Sequence, residues 1–126
     1  MISNKVMLGV AASLCFLAVA IGAFGAHGLT PLLLENNRVT TFETASSYHF
    51  YHALGLFFIA ILATAQESSK LLSWAFIAML FGLSIFSGSL YILSLTNITW
   101  LGAITPIGGL FLLLSWGLLI RYAIKY

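Results

Sequence analysis

All charged residues of this chain lie outside four long apolar stretches, and this separation constrains the fold more than any other feature. The stretches are residues 6–26, 47–65, 71–95 and 100–120. Each has roughly the 20 residues that a helix needs to cross the hydrocarbon core of a bilayer. Because a charged side chain in hydrocarbon is costly, charges confined to the connections are typical of four membrane-spanning helices.

The composition excludes the other common classes of protein. Hydrophobic residues make up 61% of the chain and charged residues 6%, whereas soluble domains are about 45–50% apolar and about 25% charged. Disorder requires low hydrophobicity and high charge, and five Lys or Arg residues are too few to neutralise a nucleic acid. The sequence therefore predicts an all-α polytopic membrane protein, a four-helix transmembrane bundle in one domain over residues 1–126, with the lipid bilayer as its partner.

The basic residues predict the orientation of the bundle. An even number of spans puts both termini on one side, together with Lys5, Lys70, Arg121 and Lys125, while the other side carries only Arg38. By the positive-inside rule both termini are cytoplasmic, and the connection between the first two spans faces outward.

A cleaved signal peptide is the alternative for the first stretch. Lys5, the apolar run and the sequence A-F-G-A at 23–26 superficially fit one. The run is too long for the apolar region of a usual signal peptide, and its small residues recur every four positions, which favours a helix–helix contact. We therefore expect a retained membrane span.

The outward connection contains turn and capping signals. Pro31 follows Thr30, which favours an extended or turn conformation. Asn36 or Asn37 can cap a helix, so we expect the second helix to begin near Asn37, before the membrane core.

Polar side chains from four separate stretches fall at a similar depth, in the outer half of the predicted bundle. Side chains of this kind face the bundle interior, because lipid offers no hydrogen bonds. His49 and His52 are three residues apart and share a helix face. The predicted cluster comprises His27, Glu43, His49, His52, Ser87, Ser89, Tyr91 and Thr105.

Small residues at helical spacing predict close helix packing, within the bundle or between subunits. Because so short a bundle has little interior of its own, we expect it to form a homo-oligomer. The predicted packing residues are Ala18, Gly22, Ala26, Ser84, Gly88, Gly108 and Gly109.

Pro106 allows two local structures. Within a helix it would leave the Gly102 carbonyl without its usual partner. Alternatively, Thr105 caps a helix that begins at Pro106. Either structure leaves free backbone polar groups at the depth of the histidines.

Three interpretations of the polar cluster remain open at this point. The hydroxyl, tyrosine and histidine side chains fix the helices by bonding to one another, or they bind a ligand such as a small molecule, a lipid headgroup or a proton. In the third interpretation His27, His49 and His52 bind a metal ion, with Glu43 as a fourth ligand. Neither a cofactor nor the identity of a metal follows from these residues.

Signals for catalysis are poor. The chain has no aspartate and no G-x-S-x-G, H-E-x-x-H or P-loop pattern. The run F-S-G-S-L-Y at 86–91 resembles a nucleophile motif only superficially, because it lies within an apolar helix. We therefore expect a non-enzymatic protein. The alternative is a component of a transporter or channel for a small solute, a metal or a proton. A continuous path would need polar residues in the cytoplasmic half of the bundle, where the sequence has almost none.

Four motifs carry a resemblance to a known family. They are G-A-F-G-A-H-G-L at 22–29, T-F-E-T-A-S-S-Y-H-F-Y-H-A-L-G-L at 41–56, F-S-G-S-L-Y at 86–91 and L-G-A-I-T-P-I-G-G at 101–109. In this order they resemble the bacterial "domain of unknown function 423" family, which is related to the small eukaryotic transmembrane protein 256 group. The resemblance implies a small integral protein of the bacterial inner (plasma) membrane with about four helices, and it implies no activity.

Overall fold

The computed structural model describes residues 2–65 and 69–126, and in these ranges the chain is helical with short connections. Glu67, one of the charged residues predicted to separate the second and third spans, lies outside the described residues. The elements are α1 (Asn4–His27), α2 (Thr30–Glu35), α3 (Val39–Ala65), α4 (Lys70–Thr96), a 3₁₀ helix (Thr99–Ala103) and α5 (Thr105–Lys125).

The structure has four helical segments long and apolar enough to cross a membrane, which confirms the predicted all-α membrane class. They are α1, α3, α4 and the 3₁₀ helix together with α5. The third element begins at Val39, close to the predicted start near Asn37. The expectation of an extended or turn conformation at Pro31 is wrong, because this proline occupies the first turn of α2. Its fixed φ suits that position, where its missing N–H is not needed.

Neighbouring spans run antiparallel and form a row. α1 packs on α3, α3 on α4, and α4 on α5. In each of the central spans α3 and α4, 44% of the residues in an apolar 18-residue stretch are buried inside the protein. The corresponding fraction is 17% in α1 and 22% in the last span. The row therefore has two inner helices, and α1 and α5 flank them.

Hydrogen bonds tie the connections to the helix ends. Near the start of α1, Asn4 Nδ2 donates to the Ala63 carbonyl at 3.0 Å. At the opposite end of the helices, along their axes, Asn36 Nδ2 donates to the carbonyls of Ser94 and Leu95 at 3.1 and 3.2 Å. We call this second end the loop end, because it carries α2 and the connection from α4 to α5. Both termini lie at the other, terminal end.

Glycines set the closest approaches between helices. A Cβ atom added to Gly108 would lie 2.8 Å from the Gly82 carbonyl oxygen and would also overlap the backbone of Phe86. A Cβ at Gly25 would overlap the Phe42 ring. The backbones of α4 and α5 are therefore in direct contact at Gly82 and Gly108, and Gly25 makes room for a buried aromatic ring.

The other predicted packing residues have varied surroundings. Ala18 is buried, Gly22 faces the Ser46 hydroxyl, and Gly109 is in ordinary van der Waals contact with the Phe86 ring. Ala26 and Ser84 are exposed, and the space beside Gly88 is open. Ala18 and Gly22 thus lie on the side of α1 that packs within the chain.

Candidate ligand-binding site

Hydroxyl side chains cross-link the helices in the loop-end half. Ser87 Oγ, on α4, donates to the Ala45 carbonyl of α3 at 2.9 Å. Ser89 Oγ and Thr105 Oγ1 lie 2.7 Å apart and join α4 to α5. All four of these residues are buried. Since these hydroxyls already have protein partners, they hold the helices in register.

The break before α5 explains the geometry at Thr105. The 3₁₀ helix ends at Ala103, and α5 begins at Thr105 with Pro106 in its first turn. Of the two local structures considered for Pro106, the structure has the helix start. Thr105 does not cap it, because its hydroxyl bonds to Ser89 and, at 3.4 Å, donates to the Leu101 carbonyl.

His49 lies inside the row with one ring nitrogen paired. The residue is only 5% exposed, and its Nδ1 lies 3.0 Å from the Tyr91 hydroxyl of α4. Its Nε2 is the one buried side-chain polar atom without a hydrogen-bond partner in the described part of the chain. On the α1 side, the backbone of Leu14 lies beside the ring.

His52 also has one ring nitrogen in use. Nδ1 lies 2.8 Å from the Tyr48 backbone carbonyl, and because a carbonyl only accepts, Nδ1 carries the proton. In the neutral ring Nε2 is therefore a hydrogen-bond acceptor. The ring is stacked on Tyr48 at a centroid distance of 5.5 Å and meets the Trp116 ring edge-on at 6.2 Å.

A groove between α3 and α5 is lined by His52 and by these aromatic rings. Its volume is about 630 Å³. Phe86, on α4, also lines the groove, and its ring is stacked on the Tyr48 ring at a centroid distance of 4.4 Å. The lining residues are Tyr48, Tyr51, His52, Phe86, Pro106, Gly109, Leu110, Leu112, Leu113 and Trp116.

Trp116 separates this groove from a second, more apolar hollow of about 440 Å³ nearer the terminal end. Trp116 lies beside His52 and Gly55, about halfway along α3. We call the groove of about 630 Å³, which lies on the loop-end side of Trp116, the His52 groove. Its walls are mainly apolar and aromatic, and their polar side chains are those of His52, Tyr48 and Tyr51.

Two residues of the predicted cluster lie elsewhere. His27 is exposed at the end of α1, and Glu43 lines a separate cleft between α1, α2 and α3. Within residues 2–65 and 69–126, no group of three or more His, Cys, Asp or Glu side chains is arranged to hold a metal ion. The metal interpretation of His27, His49 and His52 thus finds no support in the described residues.

Sequence reasoning missed the aromatic residues of the groove. Tyr48 is four residues before His52, so the two lie on the same helix face, and this spacing was an available signal. Trp116 and Phe86 had no comparable signal, because they belong to other helices, and their contacts with α3 depend on how α5 and α4 pack against it.

Comparisons with known proteins agree with the fold. Residues 21–109 match the family described as "Protein of unknown function (DUF423)". The chain is 44% identical to the UPF0382 membrane protein YwdK of Bacillus subtilis over 122 residues, which cover 97% of this chain and 98% of the relative. It is 40% identical to a UPF0382 membrane protein of Staphylococcus epidermidis, with the same coverage of both chains. No solved structure matches at a significant level. On these grounds the chain belongs to the DUF423 family of membrane proteins of unknown function.

Proposed function

We propose that this protein is a non-enzymatic binding protein of the bacterial inner (plasma) membrane, and that the His52 groove holds a lipid-soluble molecule bearing one hydroxyl. The observation that supports this most directly is the state of the His52 ring. Its Nδ1 is held by the Tyr48 carbonyl, and the residue contributes to the wall of the groove. This leaves Nε2 as an acceptor for a ligand.

The surroundings of His52 favour an apolar molecule with a single donor. Sites for small molecules are commonly about 300–1,000 Å³, mostly apolar, with a few placed polar groups, and the groove of about 630 Å³ fits this description. A hydroxyl in hydrocarbon has no water to bond with, so a histidine acceptor there is favourable. The aromatic rings of Tyr48, Phe86 and Trp116 suit a flat, apolar body.

The hydroxyl cross-links have a different role in this proposal. Ser87, Ser89 and Thr105 fix the positions of α3, α4 and α5 relative to one another, and so keep the groove open. We do not favour a transport path, because the buried polar residue nearer the terminal end, Ser115, already donates to the Ala75 carbonyl at 2.7 Å.

A pair of hydrophobic probes tests the proposal. The protein is purified in detergent with Trp74 and Trp100 replaced by Phe, so that Trp116 alone reports on the groove. 4-Nonylphenol should change the Trp116 emission saturably, whereas nonylbenzene, which lacks the hydroxyl, should bind about tenfold more weakly, as expected for one hydrogen bond.

Substitutions at His52 identify the acceptor. His52→Asn retains an amide near the Nδ1 position and should abolish the preference for the phenol, while His52→Gln places an amide near the Nε2 position and should retain part of it. His27→Asn is the matched control, because His27 is exposed and outside the groove. Equal binding of both probes, or an unchanged preference in His52→Asn, would contradict the proposal.

A further inference from the structure

We propose that the cleft at the loop end, between α1, α2 and α3, binds the primary ammonium group of a membrane lipid. We call it the Glu43 cleft. It is separate from the His52 groove and does not depend on the proposed function. Its volume is about 420 Å³.

The shape of the cleft comes from residues without bulky side chains. Gly22 and Gly25 of α1 form one wall, and the start of α3 forms the other. Gly25 already accommodates the Phe42 ring, and this ring and Leu33 close the cleft toward the interior. The bottom of the cleft is therefore apolar, and its polar groups lie on the wall.

The polar side chains of the cleft are one carboxylate and three hydroxyls. Glu43 is the only charged side chain among the lining residues. The Thr30 hydroxyl donates to the Ala26 carbonyl at 3.1 Å, so only its lone pairs remain available. Ser46 and Ser47 add two more hydroxyls. A carboxylate surrounded by hydroxyl oxygens favours a cation that brings its own donors.

A primary ammonium matches this arrangement better than other cationic groups. It has three donors and one positive charge, and a charge-assisted hydrogen bond to a carboxylate is about twice as strong as a neutral one. The trimethylammonium group of a choline lipid has the charge but no N–H. The cleft should therefore distinguish ethanolamine lipids from choline lipids.

The position of Glu43 favours a lipid over a soluble amine. Glu43 is four residues from the start of α3 at Val39, which is about 6 Å along the helix axis. This is the level of lipid headgroups for a helix of this length. The apolar bottom of the cleft beside Leu33 and Phe42 suits the glycerol and upper acyl region of a lipid.

Native mass spectrometry tests the assignment. The full-length protein is reconstituted in nanodiscs of equal parts phosphatidylethanolamine and phosphatidylcholine with the same acyl chains, then released and weighed. We expect one retained phosphatidylethanolamine per protomer, in about tenfold excess over phosphatidylcholine, as one charged hydrogen bond allows.

Two carboxylate variants locate the binding. Glu43→Gln keeps the size of the side chain and should remove the excess. Glu35→Gln is the matched control, because Glu35 is also an exposed carboxylate near the loop end but does not line the cleft. Both residues are exposed, so both variants should keep the helicity of the parent, which circular dichroism checks.

Three results would overturn the proposal. The first is equal retention of the two lipids by the parent protein. The second is an equal loss of the excess in Glu43→Gln and Glu35→Gln. The third is displacement of the bound lipid by free ethanolamine at equal concentration, which would identify the occupant as a soluble amine. None of these results bears on the His52 groove, which the phenol probes test separately.

Discussion

Replacing Gly108 by Ala should destabilise the protein because it forces α4 and α5 apart. The added Cβ would lie 2.8 Å from both the Gly82 carbonyl oxygen and Phe86 Cα, and ordinary contacts between such atoms are about 3.5–4.0 Å. Backbone atoms have no rotamer to change, so the helices must separate by roughly 0.7 Å or more to restore ordinary contact.

That separation also affects the hydroxyl pair one turn away. Ser89 Oγ and Thr105 Oγ1 are 2.7 Å apart, and an increase of roughly 0.7 Å exceeds the range of about 2.5–3.0 Å for such bonds. Overpacking costs about 1–3 kcal/mol, and a lost interhelical hydrogen bond costs about 0.6 kcal/mol. Together these terms lower the free energy of unfolding by about 2–4 kcal/mol.

Gly117→Ala is the matched control on the same helix. Nothing lies within 4 Å of a Cβ added there, and alanine has a helix propensity up to about 1 kcal/mol better than glycine. Thermal unfolding in detergent, followed by near-ultraviolet circular dichroism of the aromatic residues, should show Gly108→Ala less stable than the parent and Gly117→Ala at least as stable. Equal stability of the two variants would refute the reasoning that the glycine contact sets the spacing of α4 and α5.

Two further predictions follow from the charge distribution and the buried histidine. Reporter fusions at the C-terminus and after Asn36 should be active in the cytoplasm and outside it, respectively, and the reverse pattern would contradict the positive-inside argument. Tyr91→Phe removes the hydrogen-bond partner of the buried His49 Nδ1 and should lower the free energy of unfolding by about 1–3 kcal/mol. The control Tyr48→Phe, which changes a tyrosine 39% exposed, should cost less in the same chemical denaturation, and equal losses would count against a structural role for the His49–Tyr91 pair.

The helices were predictable from the sequence because the bilayer imposes a simple rule. Backbone groups in hydrocarbon must bond within their own segment, so an apolar stretch of about 20 residues is a helix. The start of α3 at Val39 is close to the predicted start near Asn37, but the predicted cap is wrong, because Asn36 ends α2 and Asn37 is left-handed with φ 53°. The short helix α2 was missed, because Pro31 favours a turn as strongly as it favours a first helical turn.

The packing of the polar residues was only partly predictable. The spacing of Ser87, Tyr91 and His49 indicates which faces are polar, and the structure pairs His49 with Tyr91 across α3 and α4. Sequence could not indicate that the hydroxyls would mostly bond to backbone carbonyls. That choice depends on helix separations of a fraction of an ångström, which contacts such as Gly82 with Gly108 determine.

The His52 groove follows from the order of the helices in the row, which no residue pattern encodes. The sequence predicts a bundle in which polar side chains converge on one interior. In the row, α4 packs on both α3 and α5, so the faces of α3 and α5 beside it form a groove instead of a closed contact. His52 and Trp116 lie on those two faces, 6.2 Å apart between ring centroids. The same open arrangement that leaves α1 and α5 poorly buried therefore forms the groove in which we propose that His52 accepts a hydrogen bond from a lipid-soluble molecule.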